Sequence, residues 1–376
     1  MGKIEEVELE TSPIRVGVIG ANPDQSWASK SHLPALQALP EFDLVGVSTT
    51  SAETAKASAE RFGARLAFDN ARALIEHPDI DLVTVAVKAP LHHDLAVAAA
   101  RAGKHVYCEW PMGATLEQSE AMAAAVRASG VRGVTGLQGR ASPWVNAIRD
   151  IVQSGKLGRI LSTSVIASGA MMGAVVAPRS VYTLDRHNGA TMLNISFGHL
   201  LDSVLYCLGE PSEISSLLAT QRPEVRVGET DQMAPMTASD QIVVAGRLSS
   251  GAITSFHMRG GMSRATNLIW EINGTEGDLV VTAAMPFVHF GPLKIEYATG
   301  GHALTELDVT ASLPAIPQEL AGTPAFNPAC LYRAFAEDLR NGTTISPSFD
   351  DGLARRRLLD LIHRSDRNAA RSKVSA

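Results

Sequence analysis

The chain has 376 residues, 45% hydrophobic and 19% charged, a globular mixture that excludes an intrinsically disordered protein and makes two domains the default expectation. Its 33 Lys and Arg against 39 Asp and Glu give a formal charge of −6, and without a dense basic run direct nucleic-acid binding lacks its usual electrostatic basis. No apolar stretch reaches the roughly 18 residues of a membrane span, Met1–Thr11 has no apolar core of a signal peptide, and Cys108, Cys207 and Cys330 stand singly, so a reducing cytoplasm and no metal are expected.

From Ile14 short Val/Ile-rich runs alternate with Ala-rich segments. Ile14–Ile19, Phe42–Val47, Asp81–Val87, His105–Cys108 and Arg132–Leu137 read as strands, with helices over Ala52–Phe62, His92–Ala102 and Leu116–Ser129. Nearly continuous apolar strands alternating with helices predict a doubly wound parallel sheet, with ligands at the carboxyl ends of its strands. The pattern changes after the helix expected over Pro143–Ser154. Arg159–Ala167, Gln241–Leu248, Ala252–Met258, Leu268–Asn273 and Asp278–Thr282 follow without helices between them, and the turns Leu248–Gly251 and Asn273–Gly277 supply hairpin chemistry. A large, mostly antiparallel sheet is expected, covered by helices over Phe197–Leu208, Cys330–Asn341 and Gly352–Arg364, with loops at Pro223–Pro235 and Leu313–Thr323. The expected organisation is an α/β chain: a tail over 1–12, a Rossmann domain over 13–142 and a second α/β domain over 143–376.

The first strand ends in Gly20-Ala21-Asn22, followed by Pro23 to Trp27. Gly20 fits the first glycine of a dinucleotide fingerprint, Asn22 occupies the second and the third is absent. The second strand ends in Ser48-Thr49-Thr50-Ser51, with no carboxylate for a ribose hydroxyl. That leaves room for a 2′-phosphate and favours NADP over NAD, while the same hydroxyls serve equally well as a cap for the helix from Ala52.

Six segments together carry a family resemblance: His32–Leu36, Ala102–Val106, Cys108-Glu109-Trp110-Pro111, Arg140–Pro143, Gly155–Gly158 and Gly274–Gly277. They resemble the glucose–fructose oxidoreductase, inositol dehydrogenase and rhizopine-catabolism (Gfo/Idh/MocA) family, in the family's order. The resemblance implies an N-terminal Rossmann domain, a C-terminal open-sheet domain that builds a homo-oligomer, and hydride transfer between NAD(P) and a small hydroxylated or carbonyl substrate. Family enzymes carry Glu-Lys-Pro where this chain has Glu109-Trp110-Pro111, and indole cannot shuttle a proton at neutral pH. The family's Asp-x-x-x-His element keeps His199 and the following Asp202, but Ile195, beside Asn194, replaces its carboxylate. Glu-Trp-Pro, Leu137–Pro143 and Ser26-Trp27 are similar to the branch containing the yeast galactose-pathway repressor, whose members bind NAD(P) and an activator protein and are not known for catalysis.

The resemblance implies a dinucleotide against Gly20, Asn22, Ser26, Trp27, Thr49, Thr50, Lys88, His92, Glu109 and Trp110, and a substrate against Trp110, Arg140, Asn194 and His199. His199 is the strongest acid/base candidate, because imidazole titrates near neutrality; the alternative is a satisfied core histidine. Asp202 can orient His199 or pair with a basic group. Trp110 can stack on substrate or nicotinamide, or simply pack. His187 and Tyr182 are candidate proton donors in place of the lysine, and Lys88 a candidate base, each with a plain interface or surface role as the alternative. Arg140 offers a charge for a phosphate or carboxylate, or an interdomain ion pair. Three functions stay open: an NAD(P)-dependent oxidoreductase, a silent dinucleotide-binding regulator, and an enzyme that oxidises transiently to eliminate or hydrolyse.

Overall fold

The computed structural model describes residues 12–24, 26–309 and 313–368; Met1–Thr11, most of the expected tail, lies outside the described residues. The first half builds strands β1 (Ile14–Ile19), β2 (Phe42–Ser48), β3 (Leu66–Phe68), β4 (Leu82–Val85), β5 (His105–Cys108) and β6 (Gly133–Thr135). They form one six-stranded sheet in the order β3-β2-β1-β4-β5-β6, parallel throughout. Val16, Val18, Val45, Val47, Leu82 and Val83 are buried on its two faces, which is why these strands read as unbroken apolar runs.

Between the strands run α1 (Trp27–Lys30), α2 (His32–Ala38), α3 (Ala52–Phe62), α4 (Ala71–Glu76), α5 (His92–Arg101) and α6 (Leu116–Ser129). Local chemistry sets the ends of α3 and α6: Ser51 and Thr115 accept hydrogen bonds from the amides of Thr54 and Gln118, and Gly63 and Gly130 close the helices in left-handed conformation. Strand order reverses between β1 and β4, the switch point at which such sheets bind ligands.

The second half begins with α7 (Pro143–Gln153), β7 (Ile160–Gly169) and β8 (Val175–Val176), then a π-helical turn, Leu193–Phe197, leading into α8 (Gly198–Leu208). Strands β9 (Pro211–Ala219), β10 (Glu224–Val227), β11 (Met233–Pro235), β12 (Gln241–Leu248), β13 (Ile253–Gly260), β14 (Leu268–Gly274), β15 (Gly277–Ala283), β16 (Lys294–Thr299) and β17 (Thr305–Glu306) follow. Eight form a sheet in the order β17-β16-β15-β14-β7-β13-β12-β9, antiparallel except for the β7–β13 pair. Ile148 and Ile151 of α7 and Leu201 and Val204 of α8 pack with Val165, Phe256 and Trp270 on one face. The other face leaves Leu161, Ile166, Leu217 and Ile253 exposed. The loop expected over Pro223–Pro235 is instead a hairpin, β10–β11, extending onto β8: Val225 and Val227 alternate inward while Glu224 and Arg226 face out.

The last helices are α9 (Phe326–Asn341) and α10 (Phe349–Asn368). Helix α9 returns to the first sheet, where Phe326, Ala329, Tyr332 and Phe335 pack with Val16, Val18, Leu33 and Tyr107. The expected assignment of all residues after 142 to one unit therefore misses a segment that completes the Rossmann core, since apolar side chains there find their partners in the first sheet.

Gly20 shows how tightly β1 and β4 meet. Its φ is +93°, and a Cβ would lie 2.4 Å from the carbonyl oxygen of Ala86. Gly20→Ala should cost about 1–3 kcal/mol through backbone strain plus this clash, measured by urea unfolding. Gly63→Ala, left-handed but with nothing within 4 Å of its Cβ, should cost less. Equal losses would contradict the close-approach account.

Candidate active site

At the carboxyl ends of β1, β4 and β5 lies a cleft of about 250 Å³. The first domain contributes Trp27, Ala86, Ala89, His92, Glu109 and Trp110; Gln138 comes from the connecting turn; Tyr182, Ile195, Ser196 and His199 come from the second domain; and Phe287, His289 and Phe290 come from the β15–β16 connection. The walls are largely aromatic, and Glu109 is the only carboxylate among them, with neither lysine nor arginine.

Trp110 is 4% exposed, and its indole N–H donates to the backbone carbonyl of Asn194 at 2.7 Å. A Cβ at Gly198 would come within 2.7 Å of that indole nitrogen, so the glycine before His199 lets the ring seat against α8. The Trp110–Pro111 peptide is cis. Trp110 thus holds the two domains together at the cleft, its ring edge-on to His199 with centroids 6.5 Å apart.

Burial pushes the His199 pKa down to about 4, against the opposing pull of Glu109 and Asp202. His199 is therefore neutral at pH 7. His289, also buried, stacks on it with centroids 3.8 Å apart and planes 16° from parallel. Its pKa is pushed well down by burial and then by the His199 charge. His92 contrasts with this pair. Its Nδ1 lies 2.9 Å from the Pro111 carbonyl and its Nε2 3.0 Å from that of Val87, and burial lowers its pKa although both carbonyls favour the charged form. Those bonds tie the ends of β4 and β5 together and leave His92 no free nitrogen.

Asp202 is turned away from His199 into an ion-pair cluster. Arg140 donates to it at 2.8 Å through Nη2, Arg355 at 3.2 Å through Nε, and Arg140 also reaches Asp351 at 2.9 Å. Arg140 is consequently spent on an interdomain pair and does not line the cleft, and its pKa is raised by the two carboxylates despite burial. The roles of Asp202 as orienting carboxylate and of Arg140 as anion ligand are corrected accordingly: the charges satisfy each other.

Other expected residues divide. Trp27 lines the cleft, with its ring 5.3 Å from that of Phe290 and its buried Nε1 without a partner. Tyr182 lines it too, under the Lys88 ammonium at 4.7 Å, but Lys88 itself is exposed outside the lining. His187 is exposed on a separate turn and is not among the residues lining the cleft. The Asn194 side chain donates back to the Gly189 carbonyl, leaving its Oδ1 buried and unpaired. Asn22 caps its own loop by accepting from the Asp24 amide, and Ser26 caps α1. Thr49 lies 2.6 Å from the Thr54 hydroxyl, Ser51 caps α3, and Thr50 is exposed at the end of β2. The sequence reading missed Gln138, Phe287, His289 and Phe290. Gln138 was on the page within Leu137–Pro143, whereas nothing local marks Phe287–Phe290, which a connection between two strands delivers to the cleft.

The residues present fit a nicotinamide dinucleotide. Ala86 and Ala89 keep the lining small at the switch point beside Gly20, and Trp27 and Gln138, whose Nε1 and Oε1 are buried without a partner, line the cleft. Fold and cleft together define a dinucleotide-binding α/β protein with a site between its Rossmann sheet and a second sheet domain. Residues 14–136 match the family described as oxidoreductase family, NAD-binding Rossmann fold, and residues 143–283 match the Gal80p C-terminal domain. The first domain is thus similar to the NAD-binding domain of the Gfo/Idh/MocA oxidoreductases and the second to the C-terminal domain of Gal80p.

Among its relatives, dehydrogenase aclE of Aspergillus oryzae is 29% identical over 364 residues, 94% of this chain and 96% of that one. The galactose/lactose metabolism regulatory protein GAL80 of Saccharomyces cerevisiae is 27% identical over 309 residues, 76% of this chain and 71% of that one. Levoglucosan dehydrogenase of Pseudarthrobacter phenanthrenivorans is 27% identical over 373 residues, covering 90% of this chain and 92% of that one. A solved complex of a levoglucosan dehydrogenase with NADH and levoglucosan matches with a TM-score of 0.79 at 25% identity, over 94% of this chain and 97% of that chain. Among the described residues no helix is long and apolar enough to cross a membrane, and no cluster suits a metal ion.

The ion-pair cluster gives a direct test. Asp202→Ala leaves two buried guanidinium groups short of a counter-charge and should destabilise the protein by about 3–5 kcal/mol in urea unfolding. A loss below about 1 kcal/mol would show that Asp351, bonded by Arg140, and Glu210, which accepts from Arg355 Nη2 at 2.7 Å, suffice for the two arginines.

Proposed function

We propose that this protein is an NAD(P)-dependent oxidoreductase acting on an uncharged carbohydrate-like alcohol or ketone, with His199 as its acid/base. The carrying observation is a neutral imidazole, desolvated and facing the cleft at the switch point of a dinucleotide sheet. A bound nicotinamide supplies or accepts the hydride. Ala86 and Ala89 leave room for it, and Glu109 and Gln138 offer polar atoms to its ribose and carboxamide. His199 takes the hydroxyl proton as an alcohol is oxidised and returns it in the reverse reaction. Trp27, Tyr182, Phe287 and Phe290 offer apolar ring faces to a sugar and exclude water. Absence of lysine and arginine from the lining favours a substrate without phosphate or carboxylate. Two copies joining through the exposed sheet face would form the homo-oligomer.

A regulator of the kind represented by GAL80 is the second reading, and Trp110 favours it: the residue in the lysine's position spends its only polar hydrogen on Asn194. Such a protein binds dinucleotide and a protein partner and turns nothing over.

His199→Ala should lower turnover by roughly 10²–10⁴-fold with reduced-cofactor affinity, read by fluorescence titration, nearly unchanged. Because the base must be neutral and its pKa is depressed to about 4, kcat/KM for oxidation should hold down to about pH 5 and fall only as pH drops through that value. An acid limb near the ordinary imidazole range would reject the assignment.

For the cofactor, we infer that NADP binds at least as well as NAD, since hydroxyls rather than a carboxylate end β2. Thr50, exposed there, is the informative position. Thr50→Asp should shift preference towards NAD, because a fixed negative charge repels the 2′-phosphate. A native protein that strongly prefers NAD would contradict this.

A further inference from the structure

His32 and His92 are held by hydrogen-bonding neighbours: His32 Nδ1 sits 3.0 Å from the Tyr332 hydroxyl, and both nitrogens of His92 sit on carbonyls. His199 and His289 differ. Both are buried, both line the cleft, and among the described residues neither ring nitrogen pairs with the protein. What fixes them is packing and backbone. The His289 carbonyl accepts from Asn327 Nδ2 of α9 at 2.7 Å, Phe290 lies 4.3 Å from the His289 ring centroid and Phe287 5.6 Å, and the rings of His199 and His289 stack at 3.8 Å. None of the four imidazole nitrogens is among the fully buried unpaired polar atoms, so in rings otherwise buried they open on the cleft, and their hydrogen-bonding capacity is available to something that enters it.

We propose that His289 is a catalytic residue: with His199 it forms a two-imidazole acid/base that stands in for the lysine absent at Trp110, the reacting hydroxyl lying against the edges of both rings. This rests on the oxidoreductase reading above. In oxidation the carbinol C–H bond breaks and its hydride, with both electrons, passes to an oxidised nicotinamide dinucleotide. The O–H bond breaks, its electron pair forms the carbonyl, and its proton binds one imidazole nitrogen of the pair. The second ring stays neutral, because two positive charges at this separation oppose each other in a desolvated site. The carboxylates whose charge reaches His199 are Glu109 from the end of β5 and Asp202 from α8, the latter turned into its arginine pair, and His289 feels the His199 charge. Arg140 and Arg355 already neutralise Asp202, so Glu109 is the carboxylate that steadies the single imidazolium.

The test uses the full chain in four forms: wild type, His289→Phe, His199→Ala and the double variant. His289→Phe keeps a stacked ring and removes both nitrogens. Each single variant should lose roughly 10²–10⁴-fold in turnover, and the double variant little more than either, as residues acting as a unit behave. A positioning role alone predicts near-normal turnover for His289→Phe, and full additivity predicts two independent groups; either overturns the proposal. His289→Gln serves where the phenylalanine variant folds poorly. A second readout needs no turnover: NMR titration of ring-labelled histidines should show the wild-type pair taking up no more than one proton as pH falls from 8 to about 4. Two ordinary titrations near 6.5 would overturn the pairing. A wild type silent on a panel of sugars, polyols and ketones removes the oxidoreductase reading itself, whereas an active wild type with an unimpaired His289→Phe removes only this inference.

Discussion

A carboxylate gripped by two arginines fixes the geometry on which the site depends. Asp202, 1% exposed, takes hydrogen bonds from Arg140 on the turn leaving the Rossmann sheet and from Arg355 on the last helix. A buried ion pair adds little net stability over well-packed apolar groups, but losing one partner is costly, so the cluster specifies how three segments meet. Asp202 lies one turn after His199 on α8, and locking it sets the direction in which the imidazole points. Trp110 adds a hydrogen bond from the first domain to the turn just before α8. Through these two contacts the cleft acquires a defined width.

Width and dryness then set the chemistry. Burial, not a neighbouring charge, is the largest influence on His199, and it keeps the ring neutral at pH 7. A lysine at position 110 would put a cation beside this histidine; tryptophan puts apolar area there. The substitution changes how the site handles a proton without closing the space beside β4 and β5, where Ala86 and Ala89 remain small.

Much of this was legible in the sequence. The alternation of apolar strands and Ala-rich helices gave the parallel sheet with near-correct limits, because strands buried on both faces carry their period in plain view. The bounds expected for Ala52–Phe62 and Leu116–Ser129 match the helices found, since Ser51, Gly63, Thr115 and Gly130 mark their ends chemically. Strand β3 was missed: two half-buried residues flanking the exposed Ala67 on an edge carry too short a pattern. His199 was singled out by motif, but the sequence left Asp202 open between orienting it and pairing with a basic group, because helical spacing says which face a residue shares and nothing of the arginines that approach from elsewhere. His289 was invisible for a related reason. It lies in a connection without periodicity, and only folding of the second sheet brings it 3.8 Å from His199.

On the reading proposed above, the cleft passes a hydride to or from a small neutral substrate. The most direct measurement follows the hydride itself. The protein is incubated with NADPH or NADH carrying deuterium at C4 of the nicotinamide, together with a panel of uncharged keto-sugars, and the products are read by mass spectrometry. The account predicts an alcohol product one mass unit heavier, with the label on the former carbonyl carbon. Saturable binding of the labelled cofactor with no label in any product would contradict it and leave the regulator in its place.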